Sequence, residues 1–151
     1  MALDDDIRIL AGAALFEGFT QEQLRLLAFG AENLNVAAGR LIYAEGDSAD
    51  CGFLIVSGSV RLVHGVGNAA VELQVLGRNA ILGELALITD TSRPTSAIAA
   101  TDVSLIRLNR RLFRRILEEY PDAAHLLHER IAADLQELVA KIARLSSRFG
   151  E

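Results

Sequence analysis

The chain has 151 residues, 51% of them apolar, and its 15 basic and 20 acidic side chains give a net charge of −5. That length and apolar content exclude a disordered chain and suit one domain, 1–151, with a sizeable core, while the acidic balance excludes a nucleic-acid footprint over the whole surface. A single cysteine, Cys51, excludes an intrachain disulfide framework and reads as a small buried hydrophobe in a reducing compartment.

The N-terminus, M-A-L-D-D-D, lacks a basic region followed by a long apolar run, so no secretory signal is expected. No apolar stretch is long enough to span a bilayer. The expectation is a soluble cytoplasmic protein. Helices are expected within residues 4–30, first with Ile7 and Leu10 on one side, then from Thr20. Thr20 and Gln23 have the spacing of a capping box ahead of Leu24 and Leu27, and Gly30 marks the end.

From residue 33 to 109 the apolar period drops from about 3.6 residues to about 2. Phe53 to Val56, then Val60 and Leu62, then Val71, Leu73 and Val75 read as strands, separated by turns at Gly46, Gly58, Gly65, Gly67 and Gly77. Many short strands with glycine turns predict a mainly β fold: an antiparallel jelly-roll-like β-barrel, with N-terminal helices and a long C-terminal helix.

The period becomes helical again after Asn109, which can cap a helix over 110–119. Leu112, Phe113, Ile116 and Leu117 form its apolar stripe, leaving Arg110, Arg111, Arg114 and Arg115 pointing largely outward. Glu118, Glu119 and Asp122 follow at once, so the arginines read as a solvated face and no direct DNA contact is expected. Pro121 separates this helix from a last one over 122–146. There Ile131, Leu135, Leu138, Ile142 and Leu145 recur at intervals of 4, 3, 4 and 3. Such a seam can join two chains as a homodimer or dock the helix on its own domain. His125 and His128 on the same helix read as a solvated pair, and no serine or cysteine has an evident base, so neither a metal site nor an enzyme is expected.

The stretch that carries chemistry runs from Gly83 to Ala97 and reads G-E-L-A-L-I-T-D-T-S-R-P-T-S-A. Its apolar run is too short for an independent helix and suits a single turn whose first amides are free to face an anion. Arg93 adds a planar fork of donors suited to a phosphate. Glu84 would repel a phosphate but can accept from sugar hydroxyls. An acid for a sugar and an arginine for a phosphate together point to a nucleotide.

This run resembles the phosphate-binding cassette of cyclic-nucleotide-binding domains, the sensor domains of bacterial catabolite-activator-like regulators and kinase regulatory subunits. Gly83, Glu84, Ala86, Leu87 and Ile88 fit its G-E-x-A-L-L opening, Arg93 takes the arginine position and Ser96 the closing hydroxyl. The resemblance extends over the strand and turn spacing of about residues 15 to 145. It implies a non-catalytic regulatory module for cyclic AMP or cyclic GMP, with Glu84 on the ribose 2′-hydroxyl and Arg93 on the cyclic phosphate. The implied ligand-binding set is Gly83, Glu84, Leu85, Ala86, Arg93, Pro94, Thr95 and Ser96. It further implies that the last helix carries the dimer contact and relays occupancy to an effector protein. The helix-turn-helix of the regulators is not expected, since the chain stops at Glu151. Pro94 departs from the pattern, because proline lacks the backbone N–H commonly used on the ligand after the arginine. An interaction protein with a vestigial pocket on the same fold is the alternative.

Overall fold

The computed structural model describes residues 2–65 and 67–149, with side chains over 5–65 and 67–144. Helices α1 (Ala2–Ala11) and α2 (Gln21–Phe29) come first, joined through a 3-10 turn at Ala14–Phe16. The capping box starts α2: the Thr20 hydroxyl accepts from the Gln23 amide, and the Gln23 side chain accepts from the Thr20 amide. Ten strands follow, β1 (Glu32–Val36), β2 (Leu41–Tyr43), β3 (Ser48–Ala49), β4 (Cys51–Ser57), β5 (Val60–His64), β6 (Val71–Leu76), β7 (Ile81–Leu82), β8 (Thr91–Ser92), β9 (Ser96–Ala99) and β10 (Val103–Asn109). Helices α3 (Arg110–Glu119) and α4 (Pro121–Phe149) complete the chain.

The strands form three antiparallel sheets, ordered β1-β10-β4-β7, β2-β9-β5-β6 and β3-β8. The expected jelly-roll-like barrel is therefore corrected. A barrel needs the last strand of a sheet to pair with its first. Among the described residues no such rung exists, and each of the two larger sheets keeps two unpaired edges. Register shifts at Ser104/Leu105, Leu41/Tyr43 and Leu62/Val63 interrupt the ladders, and several strands are only two or three residues long.

Burial explains the sequence of the central strand. Along β4, Phe53 and Ile55 join one apolar cluster with Val60, Leu62, Ala97 and Ala99 of the second larger sheet. The alternate residue, Leu54, belongs to a second cluster with Leu10, Phe16, Leu27, Phe113 and Leu127 of the helices. A strand covered on both faces reads as a continuous apolar run, as Phe53 to Val56 does. Phe16, packed between the rings of Phe19 and Phe113 at 5.3 and 5.9 Å, ties the N-terminal helices to α3.

Candidate functional site

The loop after β7 folds into one 3-10 turn, Glu84–Leu87, which begins at Gly83. Gly83 has φ of 67°, in the left-handed region that glycine enters without steric cost. A side chain there would also collide with the Arg93 guanidinium. Gly83 thus lets the backbone come against the arginine. Ala86 and Leu87 are buried beneath the turn, which fixes its orientation.

Arg93 lies between β8 and β9, its backbone held on both sides. Its amide donates to Asp47 O at 2.8 Å and its carbonyl accepts from the Gly46 amide at 2.9 Å. The side chain is only 5% exposed. Its guanidinium carbon sits 4.2 Å from the Tyr43 ring centroid and 5.8 Å from that of Phe53, a cation–π arrangement in a desolvated place. Nη2 donates to Cys51 O at 2.9 Å, with Cys51 Sγ at 3.5 Å. Nη1 is buried and has no hydrogen-bond partner among the described residues. A buried guanidinium with an unused donor is unfavourable unless an acceptor arrives.

A cavity of about 320 Å³ opens beside this group. Gly83, Glu84, Leu85, Ala86, Arg93, Pro94 and Thr95 all line it. Ser96 does not; its hydroxyl accepts from the Glu45 amide at 2.9 Å and holds the Glu45 turn instead. Thr95 is 1% exposed and hydrogen-bonds the Tyr43 hydroxyl, whose pKa burial pushes up to about 12. Pro94 is exposed at the edge.

Glu84 is half-buried, and no ion pair joins it to Arg93 among the described residues. Burial raises its pKa to about 8 from the usual 4.5, and a hydrogen bond with the Asp134 carboxyl, together with that group's charge, raises it further. Asp134 belongs to α4, which crosses the cavity. Leu135, Glu137, Leu138 and Lys141 line the same space.

The seam residues of α4 therefore have different surroundings. Ile131 is buried in its own chain's core, at 1% exposure. Leu135 and Leu138 line the cavity, and Ile142 is half-buried. Leu145 lies outside the residues whose side chains are described.

Reading the sequence alone missed three features of this site. Tyr43 and Phe53 flank Arg93 from strands far away in sequence, and only their inward position in alternating runs hinted at it. Asp134 sits on the polar side of the heptad pattern and gave no signal. Arg110, expected to face outward, does not: its Nη1 donates to the carbonyls of Thr89, Ala49 and Ala86 at 2.9, 3.0 and 3.4 Å, and Nη2 pairs with Asp90 at 2.6 Å. At the first position of α3, its long stem reaches back to the end of the cassette turn.

Comparison with known proteins gives the same assignment as the cassette. Residues 33–120 match the family model described as cyclic nucleotide-binding domain. A structure of a cyclic nucleotide-binding-like protein from Brucella abortus is 54% identical, with a TM-score of 0.68, covering 76% of this chain and 99% of that one. The cyclic AMP receptor protein of Thermus thermophilus is 29% identical over 138 residues, which are 91% of this chain and 64% of that protein. A lysophospholipase from Neosartorya fischeri is 32% identical over 114 residues, 75% of this chain, but the match spans only 8% of that protein's length. The matched folds include sensor domains of transcriptional regulators and the regulatory part of a protein kinase, which are not catalytic domains. The chain belongs to the cyclic nucleotide-binding domain family.

Proposed function

We propose that the chain is a non-catalytic sensor module that binds cyclic AMP or cyclic GMP in the cavity between the cassette and α4. The observation that carries this reading is Arg93, buried, stacked on Tyr43 and left with Nη1 unpartnered beside a cavity that Glu84 also lines. A cyclic phosphate would supply the missing acceptor, and its charge would offset the burial of the guanidinium. The sugar hydroxyls fall to Glu84. The remaining ligand contacts, by this reading, are Gly83, Leu85, Ala86, Pro94 and Thr95, with Ser96 shaping the adjoining turn. The names of two relatives support the ligand class: a cyclic AMP receptor protein and a kinase regulatory chain described as cAMP bound, the latter 28% identical with a TM-score of 0.68.

A vestigial pocket would neutralise Arg93 internally, most simply with Glu84. The absence of that ion pair favours the sensor. Isothermal titration of cyclic AMP and cyclic GMP into the wild-type chain tests it: saturable heat is expected with one or both, and no heat at millimolar ligand rejects it.

Occupancy would reach an effector protein through α4, the one helix that lines the cavity. Pairing of α4 with a second copy belongs to the same proposal, although Ile131 is already used inside its own chain. Sedimentation of Leu138→Glu tests the seam: a dimer that becomes a monomer supports it, and an unchanged mass rejects it. No described helix is long and apolar enough to cross a membrane. Cys51, buried and unpaired, suits the cytoplasmic setting that completes the proposal.

A further inference from the structure

Helix α4 is fastened over the cavity at three places. At one end Arg130 Nη1 donates to the carbonyls of Glu17, Leu15 and Ala14 at 2.6, 3.0 and 3.3 Å. Two to three turns further on, Lys141 Nζ donates to Gln74 Oε1 of β6 at 2.7 Å. Between them Asp134 meets Glu84, the only contact of the three that involves a residue of the cassette.

We propose that the Glu84–Asp134 carboxyl pair is a latch that closes α4 over the cavity and has to open before a sugar diol can reach Glu84. Two carboxyl groups can hydrogen-bond only if one is protonated, so Glu84 O–H donates to the Asp134 carboxylate. With both ionised the contact becomes repulsive. A diol, by contrast, is held best by a carboxylate that accepts both hydroxyls. Binding at Glu84 therefore breaks the carboxyl pair, releases one proton to solvent and frees the middle of α4. The latch makes α4 responsive to the ligand at the residue that recognises it.

Other charges around Glu84 do not replace this contact. On α4, Glu137 and Lys141 line the same cavity, with Lys141 engaged by Gln74. Arg93 is turned onto Cys51 and Tyr43. Tyr43 stays protonated, and Arg110, beneath the turn, is paired with Asp90. Asp134 is thus the partner that decides whether Glu84 holds its proton, and its role is one of positioning.

The release of α4 by a nucleotide rests on the proposed sensor function, but the latch itself can be tested without ligand. Carbon-13 NMR of the carboxyl groups in the ligand-free chain should show Glu84 titrating near pH 8, and clearly lower in Asp134→Asn, which keeps a hydrogen-bonding side chain but not the charge. Amide exchange between Asp134 and Lys141, corrected for its intrinsic pH dependence, should quicken in wild type as pH passes 8, but not in Asp134→Asn. Glu84 titrating in the ordinary carboxyl range, or exchange in this segment indifferent to both pH and Asp134→Asn, overturns the latch. With cyclic AMP or cyclic GMP, wild-type affinity should rise about tenfold from pH 6 to 7 and level off above 8, since only the ionised fraction is competent. Asp134→Asn should flatten that profile and tighten binding at pH 7 by up to about tenfold. A weaker Asp134→Asn complex overturns the latch. If neither protein binds nucleotide while the ligand-free measurements hold, the latch stands and the sensor reading fails.

Discussion

Two arginines sit on the cassette, and they differ in what is left for a ligand. Arg110 has its donors taken, by three backbone carbonyls and the Asp90 carboxylate. Arg93 has Nη2 on one carbonyl and Nη1 on nothing, although it is the more deeply buried of the two. A saturated arginine braces a loop; an arginine held rigid by aromatic rings and left short of one acceptor is prepared for an anion. Position in the sequence does not separate these roles, whereas the count of satisfied donors does.

The largest expected effect is on binding by Arg93. Arg93→Ala should weaken cyclic-nucleotide binding by at least about 30-fold in calorimetry, because removing one partner of a buried charged contact costs about 2 to 5 kcal/mol. Arg93→Lys should recover only part of that, since it restores the charge without the fork. If Arg93→Ala bound like wild type, the contrast between the two arginines would have no functional meaning.

Arg110→Ala should reverse the pattern. Chemical denaturation should show a loss of about 1 to 3 kcal/mol, the cost of leaving buried carbonyls without donors, and a larger loss than Arg93→Ala produces. An Arg110→Ala chain as stable as wild type would remove the bracing role.

Pro94→Ala gives a smaller change and sharpens the picture around Arg93. It returns an N–H at the cavity edge, worth about 1 kcal/mol or roughly fivefold in affinity if the phosphate lies there. Unchanged affinity would place the phosphate away from residue 94.

The smallest effect is that of pH on the ligand-free chain. Glu84 binds its proton more tightly when folded, at about 8 against the ordinary 4.5, so between those values the folded state holds more protons than the unfolded state. Its contribution to stability is fully present below about pH 4.5 and is lost as pH rises through about 8. Denaturation midpoints of wild type compared with Glu84→Gln should separate across that window. Parallel pH profiles would mean that Glu84 titrates normally.

How far the sequence reveals this molecule depends on the range of the interactions involved. The start of α2 follows from Thr20 and Gln23, three residues apart, and the strand series lies where the apolar period shortens between residues 33 and 109. Glu84 and Arg93 stand out because their chemistry is unusual within one short loop, and both line the cavity. The sheet arrangement was not legible in the same way. Whether a sheet closes depends on pairing between strands tens of residues apart, such as β1 with β10, and alternation is the same in a barrel and in open sheets. Asp134 and Arg110 were hidden for a related reason: each looks like an exposed helical charge until the fold brings it to the cassette.

Thermal denaturation with and without cyclic nucleotide, on wild type and Arg93→Ala side by side, tests the central claim most directly. At a ligand concentration about 100 times the wild-type Kd, linkage predicts about 2.7 kcal/mol of added stability for wild type. At the same concentration Arg93→Ala, bound at least 30-fold more weakly, should gain no more than about 0.9 kcal/mol. Equal stabilisation of the two proteins, or none in wild type with either cyclic AMP or cyclic GMP at millimolar concentration, would contradict the assignment of Arg93 as the anchor of a cyclic phosphate.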